Sequence, residues 1–159
     1  MEMSRPETQT ETRSELLEEL MRSEKDLSRI SLMFRSVIAD RFGINVTDAE
    51  CVDYLMDMGP STAGKLAEIT GLTQGAITSV IDRLEKAGFV TRQSDPDDRR
   101  KVIVAIVQDK VGAVAEIYRP TVMKILELYS GYSEEQLAFL AEFYRRMMRI
   151  YQEGIEISA

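Results

Sequence analysis

Three acids and three bases are crowded into one short run: Asp95, Asp97 and Asp98, then Arg99, Arg100 and Lys101. Guanidinium groups at a tight turn can enter a narrow, electronegative groove or grip phosphate oxygens. Upstream, Thr73, Gln74, Gly75, Thr78 and Ser79 bring together hydroxyls, an amide and a position with no side chain. That is the chemistry of hydrogen bonding and close approach, not of bond breaking. Side chains that usually break bonds or hold metals are scarce. The 159 residues include no histidine and one cysteine, Cys51, which removes the commonest acid–base group and the commonest metal ligand. No glycine-rich phosphate loop and no nucleophile motif takes their place. The sequence therefore points to no catalytic residue, no metal site and no cofactor.

Charge sets the next constraint. The chain carries 20 Lys and Arg against 27 Asp and Glu, a net −7, which on average argues against a nucleic-acid partner. The average hides two unlike parts. Between Ser61 and Val107 seven bases face six acids, while the rest of the chain holds thirteen bases and twenty-one acids. Hydrophobic residues make up 44 % and charged residues 30 %, an ordinary globular balance. No apolar run of about 18 residues is present to span a membrane. One cysteine excludes an internal disulfide, and a cytoplasmic location is expected.

The elements that must position the polar residues are legible from periodicity and caps. Residues 1–13 have little to bury and read as a disordered tail. From Ser14 the apolar residues Leu16, Leu17, Leu20, Leu27, Ile30, Phe34, Val37 and Ile38 recur at helical spacing to about Arg41, where Phe42-Gly43 ends the run. Thr47-x-x-Glu50 has the form of a capping box opening a second helix, stopped by Gly59-Pro60. Thr62 can cap a short third helix closed by Gly71, and Thr73 a fourth running from Gln74 to Ala87. The period then changes. Residues 89–93 and 101–107 are β-branched and flank a polar, proline-containing turn, which predicts a β-hairpin. A helix follows from Asp109 to about Tyr129, which Pro120 should kink or split. Ser133-x-x-Gln136 caps a last helix to roughly Glu153.

Ala67, Gly71, Ile77 and Val80 have the spacing of a helix-turn-helix: a small residue where helices approach, a glycine for the left-handed turn, branched residues to lock the second helix. By itself this also fits an ordinary αα-corner. Two short helices, a turn and an arginine-tipped hairpin together form a winged helix, an arrangement that reads DNA. On the fourth helix Ile77, Val80, Ile81 and Leu84 share one face. Gly75, Thr78, Ser79, Asp82 and Lys86 lie opposite, with Arg83 at the flank. Asp82 would repel phosphate, so the N-terminal half of this helix is expected to read bases while the C-terminal half lifts away. At the hairpin tip, one arginine braced by an aspartate and one entering the minor groove is the preferred reading. Mutual neutralisation on a solvated loop is the other.

The segments Thr62–Ala67, Gly71–Thr78 and Ile81–Val90, followed by Arg92 and Asp95–Val102, closely resemble the MarR family of bacterial winged-helix transcriptional regulators. The resemblance implies a mainly α fold with a small β-hairpin wing, a winged helix-turn-helix domain (45–108) between an N-terminal dimerisation helix (14–44) and C-terminal dimerisation helices (109–159). It also implies a homodimer that places one winged helix on each half of a pseudo-palindromic operator in double-stranded DNA. By the family pattern Thr73, Gln74, Gly75, Thr78 and Ser79 would face bases. Thr62, Lys65 and Arg83 would touch phosphates, Asp98 would brace a wing arginine, and Arg99, Arg100 and Lys101 would act at the wing. Relatives often bind small aromatic or amphipathic effectors, for which Met33, Val37, Tyr54, Met58 and Tyr118 would be liners. Two departures stand out: Val107-Gln108 replaces the usual leucine-threonine pair, and Gly64 replaces a longer polar residue.

The dimer has support apart from the resemblance. Leu16, Leu17 and Leu20 at one end, and Leu137, Leu140, Phe143, Tyr144, Met147, Met148, Ile150 and Tyr151 at the other, make more apolar stripe than a small winged helix can cover. Packing of the two ends on each other is the competing reading. Cys51, ringed by Asp48, Glu50 and Asp53, reads as an inert packing residue. The expected function is a sequence-specific regulator, with repression the favoured sign. A winged-helix module that docks a protein instead of DNA is the alternative.

Overall fold

A computed structural model of the chain describes residues 12–96, 98 and 101–158. The elements are α1 (Arg13–Arg41), α2 (Val46–Met58), β1 (Ser61–Thr62), α3 (Ala63–Thr70), α4 (Gln74–Lys86), β2 (Val90–Ser94), β3 (Val102–Ile106), α5 (Gln108–Ser130) and α6 (Glu134–Ser158). Two compact units divide after Val111, within α5. The tail expected over 1–13 falls outside the described residues save for its last two positions, and these start α1. The Thr12 hydroxyl accepts from the Glu15 N–H at 3.3 Å, and the Glu15 carboxylate takes the Thr12 N–H at 2.7 Å.

The cap of α2 corrects the sequence reading. Asn45 and Asp48, not Thr47 and Glu50, form the capping box: Asn45 Oδ1 accepts from the Asp48 N–H at 2.9 Å and Asp48 Oδ2 from the Asn45 N–H at 3.1 Å. Asparagine caps at least as well as threonine. The choice between them is made by Asp48, which is fully buried while Thr47 stays exposed. At the next two starts the expected caps hold: Thr62 Oγ1 accepts from the Lys65 N–H at 3.2 Å and Thr73 Oγ1 from the Ala76 N–H at 3.3 Å. Between α3 and α4 the chain turns at Gly71, whose φ of +69° is the left-handed conformation that glycine adopts without strain.

The three strands form one antiparallel sheet in the order β1-β3-β2. The hairpin pairs Val90 with Ile106 through to Ser94 with Val102. Its companion β1 was not anticipated: Ser61 and Thr62 pair with Val104 and Ile103, and two residues are too few to show an alternation. The core of this first unit is Leu55, Leu66, Ile77, Ile81, Leu84, Phe89 and Val90, each at most 1 % exposed. Full burial of each such side chain contributes roughly 1.5–3 kcal/mol. Phe42, after α1, meets Phe89 edge to face at 5.7 Å, and Lys110 Nζ lies 5.7 and 5.6 Å from the two ring centres.

In the second unit, α5 runs unbroken through Pro120, so the split considered from sequence does not occur. Pro120 and Glu116 are both exposed, and water can take the carbonyl that proline leaves without a donor. Ser133 and Gln136 form the expected capping box, at 2.8 and 3.2 Å, and α6 continues to Ser158. No described residue of α6 is buried, and in α1 only Ile38 and Ala39 are. Leu17, Leu20, Met21, Phe139, Tyr151 and Ile155 are each more than half exposed.

The reassigned cap is directly testable. Asn45→Ala should lower stability in urea unfolding by about 1 kcal/mol, while Thr47→Ala should stay within about 0.5 kcal/mol of the parent. The reverse ranking would contradict the cap.

Candidate nucleic-acid interface

Helix α4 is held along one side by Ile77, Val80, Ile81 and Leu84, all buried. That burial forces Gln74, Gly75, Thr78, Ser79 and Asp82 to the solvent side, where all are exposed. The Thr78 hydroxyl donates to the Gln74 carbonyl at 2.8 Å and the Ser79 hydroxyl to the Gly75 carbonyl at 3.1 Å. With their protons directed inward, both oxygens present lone pairs outward as acceptors. At the helix start Thr73 takes the Ala76 N–H, which leaves the N–H groups of Gln74 and Gly75 without an intrahelical acceptor. A Cβ added at Gly75 would meet nothing within 4 Å, so no neighbour in the chain requires glycine there.

The basic residues are placed differently from expectation. Arg83, expected at a phosphate, joins α4 to α2: its Nε donates to Asp48 Oδ1 at 3.2 Å and Oδ2 at 3.0 Å, and its Nη2 to Oδ1 at 2.6 Å. This bond holds the Arg83 guanidinium above its ordinary pKa. Arg92 is likewise occupied. Its Nη2 lies 2.5 Å from Asp82 Oδ1, its Nη1 pairs with Glu85, and its backbone N–H donates to Glu85 Oε1 at 3.2 Å. The hydrogen bond to Asp82 is the main cause raising its pKa, opposed by desolvation and helped by Glu85. Lys65 sits 2.9 Å from Glu68 within α3.

At the wing, the Asp95 N–H donates to the Lys101 carbonyl at 3.0 Å and the Lys101 N–H to the Asp98 carbonyl at 2.8 Å. Asp95 Oδ1 accepts from the Asp98 N–H at 3.2 Å, and Lys101 Nζ is 3.9 Å from Asp98 Oδ2. These bonds fold the turn on itself and leave Lys101 exposed. Arg99 and Arg100, and with them the assignment of a braced and an inserted arginine, lie outside the described residues.

A model of the MarR family matches residues 44–102, from the end of α1 to the start of β3. Over 145 residues the chain is 34 % identical to YcgE of Bacillus subtilis, an HTH-type transcriptional regulator, covering 91 % of this chain and 94 % of that one. The chain belongs to the MarR family. Its relatives are transcriptional regulators. NicR of Pseudomonas putida, an HTH-type transcriptional repressor, is 35 % identical over 77 residues, 48 % of each chain. Among solved structures, FabT of Streptococcus pneumoniae in complex with DNA shares the fold, with a TM-score of 0.68 at 16 % identity over 86 % of this chain and 98 % of that one.

Three features of this MarR-family chain escaped the sequence reading: the buried carboxylate of Asp48, the role of Glu85, and the engagement of Arg92. The first had a faint signal, an Asn-x-x-Asp cap beside the Thr-x-x-Glu that resembles it. The others depend on contacts across a turn that no spacing rule encodes. Cys51 is 1 % exposed, and burial, then Asp48 and Glu50, push its thiol up to about 11 against the lowering influence of Arg83. A thiol so buried and so weakly acidic is unreactive. Of the expected effector liners, Met33, Val37, Tyr54 and Met58 are exposed in the first unit, and Tyr118 is half-buried in the second. An apolar cleft of about 200 Å³ in the second unit is lined by other residues: Tyr129, Leu137, Leu140, Ala141 and Tyr144. Among the described residues no helix is long and apolar enough to cross a membrane.

Removing Arg83 would strand a buried carboxylate. Arg83→Met is expected to cost about 3 kcal/mol in urea unfolding, and adding Asp48→Asn, which removes the charge but keeps an acceptor for the Asn45 N–H, should recover part of that loss. Equal stability of Arg83→Met and the parent would show that the ion pair does not hold α4 to α2.

Proposed function

We propose that this MarR-family chain is a cytoplasmic, sequence-specific DNA-binding regulator that acts as a homodimer on a pseudo-palindromic operator, with repression as its effect. The observation that carries this reading is the outward face of α4. Small polar groups and an unobstructed glycine stand on the side away from the buried stripe, at the helix N-terminus. A major groove about 12 Å wide accepts such a helix end, and each base pair presents there a distinct set of donors and acceptors. Thr78 and Ser79, offering lone pairs, suit the amino groups of adenine or cytosine. Gln74 can engage adenine through its amide, and Gly75 permits close approach of the backbone. Thr73 would face bases beside Gln74, and Thr62 and Lys65 near the N-terminus of α3, with Arg83, would fix register through phosphates. Asp98, Arg99, Arg100 and Lys101 supply the wing contact.

Supporting the dimer are the exposed apolar stripes of α1 and α6, far more than an isolated chain leaves to water. The domain division follows: 14–44 and 109–159 for association, 45–108 for reading. Repression is favoured by the repressor name of NicR, and DNA as partner by the complex formed by FabT. A small aromatic or amphipathic effector would be received by Met33, Val37, Tyr54, Met58 and Tyr118.

Selection of bound sequences from random duplexes with the purified chain tests the reading. The expected product is an inverted repeat whose half-sites are about one helical turn, roughly 10 bp, apart. Enrichment of a single unrepeated motif would exclude the dimeric mode. No enrichment at low salt would favour the protein-docking alternative.

A further inference from the structure

Asp82 poses a problem for a DNA-reading helix. It follows Ser79 by one turn on the exposed face of α4, and Glu85 follows it by another. Duplex DNA carries about one negative charge per 1.7 Å of axis, so two bare carboxylates beside the reading residues would oppose docking. Neither is bare. The Arg92 guanidinium bridges them, and the Arg92 backbone N–H makes a third bond to Glu85. Arg92 stands in β2, paired with Val104 of β3, the strand that leads to the wing tip. One side chain therefore joins the exposed edge of the reading helix to the base of the wing. The site is open to water, with side-chain exposures of 33 % for Arg92, 61 % for Asp82 and 40 % for Glu85. Exposed ion pairs contribute little to stability, and the core beneath this edge is complete without it.

We propose that Arg92 is a positioning residue for DNA recognition: by bridging Asp82 and Glu85 it masks two carboxylates that would repel the phosphate backbone and sets the aim of the wing relative to α4. Arg92 then acts without touching DNA itself. This assigns it a role different from that proposed for Lys65 and the wing bases, which would meet the DNA directly. It also removes the reason for the C-terminal half of α4 to lift away from the duplex.

The inference rests on the proposed DNA reading, so the parent chain is measured first on the selected duplex. If it binds no duplex, the DNA reading itself is overturned, and this inference with it. With binding established, Arg92→Ala is compared in two backgrounds, the parent and Asp82→Asn/Glu85→Gln. In the parent background Arg92→Ala should weaken binding about tenfold at low salt, a loss that shrinks as salt screens the uncovered carboxylates. In the background without the acids it should change affinity less than about twofold, the two effects being coupled through the bridge. The same tenfold loss in both backgrounds, with a slope lower by about 0.9, would mean that Arg92 neutralises a phosphate, and would overturn the proposal. Unchanged affinity in the parent background would overturn it as well. Thermal unfolding guards the comparison, with Arg92→Gln as a second variant. If both substitutions unfold the chain at assay temperature, the bridge belongs to the fold and the proposal fails.

Discussion

The buried stripe of α4 is the constraint on which the rest of the first unit depends. Ile77 and Leu84 are wholly buried and Val80 and Ile81 nearly so, and this leaves the helix one rotational setting. Every polar residue between them is thereby assigned to the outside. Caps and turns fix the ends of the same helix: Thr73 starts it, and Gly71 lets α3 fold back so closely that Leu66 and Ala67 join the same core. Arg83 and Asp48 then anchor its flank to α2, and the Asp48 carboxylate that receives Arg83 also closes the cap of α2. One buried carboxylate thus sets the start of one helix and the position of another.

Electrostatics gives the surface its character by pairing rather than by excess. A net −7 chain does not become a DNA reader by a basic patch alone. In the described part of the winged helix Lys65, Arg83, Arg92 and Lys101 each have a carboxylate within 4 Å. What is left facing outward on α4 is small and polar at the N-terminus, and beyond it two carboxylates share the Arg92 guanidinium. Such a surface suits the proposed discrimination by hydrogen-bond pattern, and acid elsewhere on the chain would discourage unproductive docking.

Much of this was legible in the residues because it is local. Thr62, Gly71, Thr73 and the β-branched run in 101–107 announce caps, turn and strand within a few positions of where they act, and the apolar spacing on α4 gives its buried face. The failures are of two physical kinds. Asn45 and Thr47 are equally good caps in isolation, and only the tertiary burial of Asp48 decides between them. The ion pairs of Arg83 and Arg92 went unread because their partners lie 35 and 10 residues away across folds of the chain, beyond any helical spacing. The strand β1 is visible only through its neighbour β3, since two residues carry no period.

The proposed operator recognition requires the exposed N-terminal face of α4 to enter the major groove, once per subunit, on one face of the duplex. Methylation interference at guanine N7, which lies in the major groove, tests it most directly on the selected operator. Two clusters of interfering guanines, related by the operator dyad and about one helical turn apart, are the predicted result. Interference confined to a single cluster, or to adenine N3 in the minor groove, would contradict it.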